Sequence, residues 1–218
     1  MFIVNIKFLE EVYLLKTVGL IGLGAMGGSY AKHLLTNGYQ VFGVDPDKNN
    51  RNSFSSLGGL ILNNINDLTK KCKIVILSLP TVPIFKDVIK EIENNKSLLE
   101  TKIIIDMNTI SLEDKLEAKN KLKKLKIELI DAPVSGTGAQ AKLKDLVVMS
   151  SGLKSVVSEC EDIFNSFARK HMYVGAFGNG IKFKLLANLL VTVHNTVTAE
   201  AFLLGQKAGL DENMIYNV

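Results

Sequence analysis

The chain has 218 residues, 47% of them hydrophobic and 22% charged, a balance suited to a globular protein with room for one large domain, or one domain and part of another. Its 26 Lys and Arg against 22 Asp and Glu leave a formal charge of only +4. The lysines are spread through Lys70 and Lys71, Lys115 to Lys126 and Lys142 to Lys170 as solvated faces, which argues against a nucleic-acid partner. Cys72 and Cys160 stand too far apart for a metal pair, so no metal is expected and a reducing cytoplasm is the simplest compartment.

Lys7, Glu10 and Glu11 interrupt Met1 to Lys16 before any apolar run reaches spanning or signal length. Neither a membrane partner nor secretion is expected, and residues 1–16 read as an N-terminal extension. From Thr17 short apolar runs alternate with longer amphipathic segments, the pattern of a mostly parallel α/β sheet. Strands are expected at Thr17 to Ile21, Gln40 to Val44, Ile74 to Leu79, Lys102 to Asp106 and Ile127 to Ile130. Helices are expected at Met26 to Thr36, Lys48 to Leu57, Val82 to Glu93 and Leu112 to Leu125, with Ser111 and Asp114 as an N-terminal capping pair. A further strand, helix and strand follow at Leu146 to Ser150, Leu153 to Phe167 and His171 to Val174, and Gly175, Gly178 and Gly180 then mark a break. Ile181 to Gln206 has no Pro and repeats apolar residues at helical spacing, predicting a helix about 40 Å long. Gly209 ends it and Asp211 can cap one more. The fold class is a Rossmann-type doubly wound sheet followed by the start of an all-α domain: residues 1–16, then 17–178, then 179–218.

Three segments carry chemistry. Gly22-Leu23-Gly24-Ala25-Met26-Gly27 joins a strand to a helix, the setting in which a glycine fingerprint cradles a dinucleotide diphosphate on free N–H groups. Asp45 ends the second strand, where a carboxylate can accept hydrogen bonds from ribose hydroxyls and repel a 2′-phosphate. With no Arg in Asp45 to Lys48, NAD is expected over NADP; the plainer reading is that Asp45 caps the next helix. Asp131 to Gly138 sets two hydroxyls among two glycines, which suits either a carboxylate receptor or an ordinary turn. On the long helix Lys184 and Asn188 share one face among leucines. Lys184 can snorkel to solvent, or, if buried beside a nicotinamide, have its pKa lowered toward the range useful for proton transfer. His171 and His194 lie in no recognisable catalytic setting.

Together these segments resemble the β-hydroxyacid dehydrogenase family, which includes 3-hydroxyisobutyrate dehydrogenase and tartronate semialdehyde reductase. The likeness runs from Thr17 to the end of the chain. Gly19 to Gly27 is similar to the family's cofactor fingerprint, Asp131 to Gly136 to its substrate loop, and Gly178-Asn179-Gly180 with Lys184 and Asn188 to its catalytic segment. The resemblance implies that Lys184 is the general acid/base and that Asn188 holds a small carboxylic-acid substrate. It further implies that Ser135, Gly136 and Thr137 clamp the substrate carboxylate, and that Leu79, Pro80 and Thr109 lie beside the cofactor.

The sequence departs from the family pattern at Thr137, Gln140 and Lys144, where glycines are common, at Ala187, and at Ile84. Family members continue through further helices, so the long helix is expected to expose an apolar stripe and to favour a homo-oligomer. The expected activity is interconversion of a small β-hydroxy acid with its semialdehyde or keto form. A dinucleotide-binding remnant without turnover is the alternative from another class. A 6-phosphogluconate-type enzyme is disfavoured, because the residues after Lys184 read Ala187-Asn188-Leu189 instead of His-Asn-Gly.

Overall fold

A computed structural model describes residues 17–95 and 99–217, so the expected extension over 1–16 lies outside the described residues. The apolar runs become the strands Thr17–Ile21 (β1), Gln40–Val44 (β2), Leu60–Ile61 (β3), Ile74–Leu77 (β4), Ile103–Asp106 (β5) and Glu128–Asp131 (β6). They form one sheet in the order β3-β2-β1-β4-β5-β6, every pair parallel. Such strands are buried on both faces, so their side chains feed two cores: Ile103 and Ile105 join one apolar cluster and Ile104 the other.

The connecting helices are Ala25–Thr36 (α1), Lys48–Ser56 (α2), Ile65–Thr69 (α3), Val82–Asn94 (α4) and Leu112–Lys124 (α5). Their starts are set by side chains that accept otherwise orphaned N–H groups. Asp47 accepts from Asn49 and Asn50, Thr81 from Ile84, and Ser111 from Asp114 at 3.1 Å. Ser111 therefore caps as its sequence suggests, and its hydroxyl also bonds the Asp114 carboxylate at 2.7 Å. Asp47, the residue just before the helix, caps α2, so Asp45 is released from that role. The short β3 and α3 are additions to the expected pattern.

The segment after β6 corrects that pattern more deeply. Val134–Ser135 (β7), Val147–Ser150 (β8) and Lys170–Tyr173 (β9) make a separate three-stranded sheet, β7 antiparallel and β9 parallel to β8. An antiparallel bridge between Asp131 and Ser151 links the two sheets. Gly138–Lys142 (α6) closes the loop after β7. The single helix expected over Leu153 to Phe167 is two, Lys154–Glu159 (α7) and Glu161–Phe167 (α8), because Cys160 at φ −100°, ψ 4° leaves the helical well.

Asn179–Lys207 (α9) is the long helix, and Glu212–Asn217 (α10) follows after Gly209 at φ +81°. The Asp211 carboxylate accepts from the N–H groups of Asn213 and Met214. Within α9 only Gly180 and Ile181 are buried, and Leu185 and Leu189 are 55% and 59% exposed, the apolar stripe the sequence led us to expect.

Lys144 adopts φ +60°, a left-handed conformation that crowds any Cβ. Lys144→Gly should therefore raise stability by about 0.5–1 kcal/mol in urea unfolding, the relief of that crowding exceeding the extra entropy of glycine in the unfolded chain. No change or a loss would show that the loop is held for another reason.

Candidate active site

At the sheet's switch point, between β1 and β4, the chain turns from β1 into α1 through Gly22 at φ +92°, where a Cβ would collide with the carbonyl oxygen of Ser78. A Cβ on Gly27 would strike the Gly22 carbonyl, so α1 can lie against the turn only as glycine allows. Gly24 differs: a Cβ built there meets nothing within 4 Å. It opens onto a cleft of about 490 Å³ lined by Gly22, Gly24, Ala25, Met26, Asp45, Leu79 and Pro80, with Ile21, Val44, Asn50, Ile65, Ser78, Ile84 and Val88 as further walls. Gly24 is also the N-cap of α1 and has no side chain to offer its first turn, leaving a positive helix end facing the cleft. These features fit a dinucleotide diphosphate.

Leu23 is buried and shapes the site through its backbone, its N–H donating to Asp45 Oδ2 at 2.6 Å. Asp45 Oδ1 accepts from the N–H of Asp47 at 2.8 Å, and Asn50 Nδ2 reaches both oxygens at 3.3 Å. The carboxylate thus braces the glycine turn while lining the cleft. Beyond Asp45 to Lys48, Arg51 on the first turn of α2 donates from Nη1 to the carbonyl oxygens of Asp45 at 2.8 Å and Pro46 at 2.6 Å. Thr109 is exposed just past β5 and is not among the residues lining the cleft.

Ser135 ends β7, Gly136 follows at φ +136°, and Thr137 caps α6. Thr137 and Gln140 form a reciprocal capping box: the Gln140 N–H donates to Thr137 Oγ1 at 3.3 Å, and the Thr137 N–H donates to Gln140 Oε1 at 2.9 Å. Both departures from the glycine pattern are explained by this pairing. Lys184 and Asn188 sit on α9, which packs against β6, β7 and β8 and so joins the strands bearing Asp131 and Ser135. Lys184 is half-buried, and burial holds its amine below the usual lysine range. Asn188 is exposed. His171 bonds Ser150 at 2.6 Å and stacks on Phe164, with burial lowering its pKa, while His194 is exposed.

The largest surprise is Lys115, which the sequence placed on a solvated face and the structure buries completely with Asp106 and Asp131. Its Nζ lies 2.6 Å from Asp106 Oδ2 and 3.0 Å from Asp131 Oδ1.

The strand order and the glycine turn define a Rossmann-type dinucleotide-binding domain with a helical extension. The chain belongs to the β-hydroxyacid dehydrogenase family, and residues 17–175 match the domain family described as the NAD binding domain of 6-phosphogluconate dehydrogenase. That description covers the nucleotide domain alone. Over 205 residues the chain is 29% identical to L-threonate dehydrogenase of Cupriavidus necator, covering 93% of this chain and 69% of that protein. Over 208 residues it is 28% identical to the human mitochondrial 3-hydroxyisobutyrate dehydrogenase, covering 92% of this chain and 60% of that protein. The solved 3-hydroxyisobutyrate dehydrogenase of Mycobacterium tuberculosis with L-serine superposes with a TM-score of 0.83 at 27% identity, covering 90% of this chain and 67% of that one. The chain thus spans 60% to 69% of the length of these relatives. No helix among the described residues is long and apolar enough to cross a membrane.

Gly24 and Gly22 separate binding from folding. Gly24→Val should leave the melting temperature nearly unchanged yet weaken dinucleotide binding by about a hundredfold, since β-branched bulk would occupy the open approach to the helix end. Gly22→Ala should instead lower stability, by roughly 1–3 kcal/mol. Calorimetric melting and NADH titration distinguish the two, and unaltered binding by Gly24→Val would remove the cleft from consideration.

Proposed function

We propose that the chain carries the site of an NAD-dependent oxidoreductase that interconverts a small β-hydroxy acid and its semialdehyde or keto form. The observation that carries the reading is the placement of Lys184, an amine weakened by burial, on a helix packed against the strand that presents Ser135. Gly22, Leu23, Gly24, Ala25, Met26 and Gly27, with Asp45, Leu79 and Pro80, would hold the dinucleotide, and Thr109 would lie at its edge. Bound there, the nicotinamide supplies the hydride acceptor for oxidation or the donor for reduction.

Lys184 takes the proton of the substrate hydroxyl in oxidation and returns it in reduction. Asn188 steadies the same end of the substrate. Ser135 and Gly136 receive the carboxylate, and Thr137 contributes its hydroxyl proton, its own N–H being committed to Gln140. Holding the acid at one end and the proton acceptor at the other turns an encounter into an oriented reaction.

NAD is the preferred cofactor in this reading because a 2′-phosphate would have to approach the Asp45 carboxylate. Arg51 is the countervailing group, and its Nη1 is occupied by two backbone carbonyls. NADH should bind more tightly than NADPH in fluorescence titrations; the reverse order would overturn the preference. The exposed leucines of α9 are read as a contact face of a homo-oligomer, which size-exclusion chromatography would reveal as more than a monomer.

Turnover of a panel of β-hydroxy acids, followed at the nicotinamide absorbance band, tests the activity. In the oxidative direction Lys184 must be neutral, so kcat should rise with pH through a midpoint below the ordinary lysine value of about 10.4. Lys184→Ala should cut kcat by about 10²-fold to 10⁴-fold and abolish that limb. Dinucleotide binding without turnover of any acid would favour the binding-only reading, to which the exposure of Asn188 lends support.

A further inference from the structure

The ion cluster around Lys115 joins the two halves of the site. Two carboxylates and one ammonium, all 0% exposed, can persist in a dry interior only if nearly every oxygen is engaged; three of the four carboxylate oxygens accept hydrogen bonds, and Asp131 Oδ1 has the ion pair with Lys115 alone. On one side, Asp106 Oδ1 accepts from the N–H of Asn108 at 3.0 Å and from its Nδ2 at 2.7 Å. Asn108 Oδ1 in turn accepts from the N–H of Leu79 at 2.6 Å, which fixes the loop lining the dinucleotide cleft. On the other side, Asp131 Oδ2 accepts from the Ile181 N–H at 2.9 Å and the Ser151 hydroxyl at 3.0 Å. Ser151 Oγ accepts from the N–H groups of Gly178 at 3.2 Å and Gly180 at 3.0 Å.

The start of α9 is therefore seated on Asp131. Gly180 permits the approach, since a Cβ there would lie 2.5 Å from the Met149 carbonyl and 2.9 Å from Asp131 Oδ2. The surplus negative charge of the cluster faces the positive end of that helix. Lys184 stands one turn further along.

We propose that Lys115, acting through Asp131 and Ser151, is a positioning residue that fixes the seat of α9, and with it the amine of Lys184, relative to the Leu79 loop. The proposal rests on the reading of Lys184 as the acid/base group. Lys115 touches no substrate in this scheme. It draws the ends of β5 and β6 together, and the helix bearing the reactive amine inherits its place from one of them.

Two variants of the full chain test it. Asp106→Asn/Lys115→Met removes one charge of each sign, and Ser151→Ala removes the ties that run from Gly178 and Gly180 through Ser151 to Asp131, keeping the ions and the direct Ile181 bond. Lys184 is followed without cofactor by carbon NMR of labelled lysine, its signal assigned with Lys184→Arg. In both variants Lys184 should titrate closer to the ordinary lysine range than in the wild type, because a shifted helix start admits water to the amine. Lys115→Arg should keep the wild-type titration. Where turnover is measured, kcat should fall by about tenfold to a hundredfold while NADH affinity stays within about threefold, the pattern of a displaced reacting group.

A Lys184 titration identical to wild type in either folded variant overturns the proposal, because a change of global stability alone leaves that titration where it was. Should the double variant fail to fold, Ser151→Ala tests the link through which Lys115 acts, and an unchanged titration there overturns the proposal. If the wild-type chain turns over no hydroxy acid, the acid/base assignment fails, and the Lys184 titration still decides whether Lys115 sets the seat of α9.

Discussion

An ammonium group held between two carboxylates at the carboxyl ends of adjacent strands is the constraint on which the site is built. Parallel strands deliver backbone to that edge of a sheet but do not by themselves fix the loops that leave it. Lys115 does so from α5, and through its partners the order is passed on to Leu79 on one side and to the first N–H groups of α9 on the other. Losing one partner would strand the remaining charges away from water, a penalty on the order of 3–5 kcal/mol. In the proposed function, stability and the geometry of the reacting groups are thus tied to the same three side chains.

The nucleotide cleft follows another principle, the close approach of backbone to backbone. Gly22 and Gly27 are small because carbonyl oxygens occupy the space a side chain would need, whereas Gly24 is small toward empty space. The same residue type serves packing in two places and leaves the cleft open in the third. Asp45 links that turn to β2 through the Leu23 N–H, so the residue expected to meet the ribose also stiffens the loop expected to meet the diphosphate.

Much of this was legible in the sequence, because glycine turns, strand periodicity and helix caps are local signals. β1, α1, β2 and α9 were read within a residue or two, and the capping role of Ser111 was visible from Asp114. What escaped was either short or non-local. β3 and α3 are too brief to show a period, and the break at Cys160 leaves no mark in the apolar pattern. The burial of Lys115 depends on β5 and β6 lying side by side, which its neighbours in a charged helix conceal. The capping box is readable in principle, since Thr137-Gly138-Ala139-Gln140 spells it, though the same two residues also stand out as departures from a glycine pattern. Arg51 lies six residues past Asp45, and only the turn of α2 brings its guanidinium back to the Asp45 and Pro46 carbonyls.

The attachment of α9 has a mechanical consequence. Among the described residues, this 29-residue helix is hydrogen-bonded to the α/β domain through its first turn alone, so it can tilt as a rigid arm about that point. Tilting it by about 5° would sweep its far end, about 40 Å away, through about 3.5 Å, but would carry a residue about 5 Å from the fulcrum only about 0.4 Å. Lys184 occupies such a near position. Whatever rests on the distal leucines can swing widely while the amine scarcely moves, which, in the proposed function, separates the motions of the outer arm from the chemistry at its root.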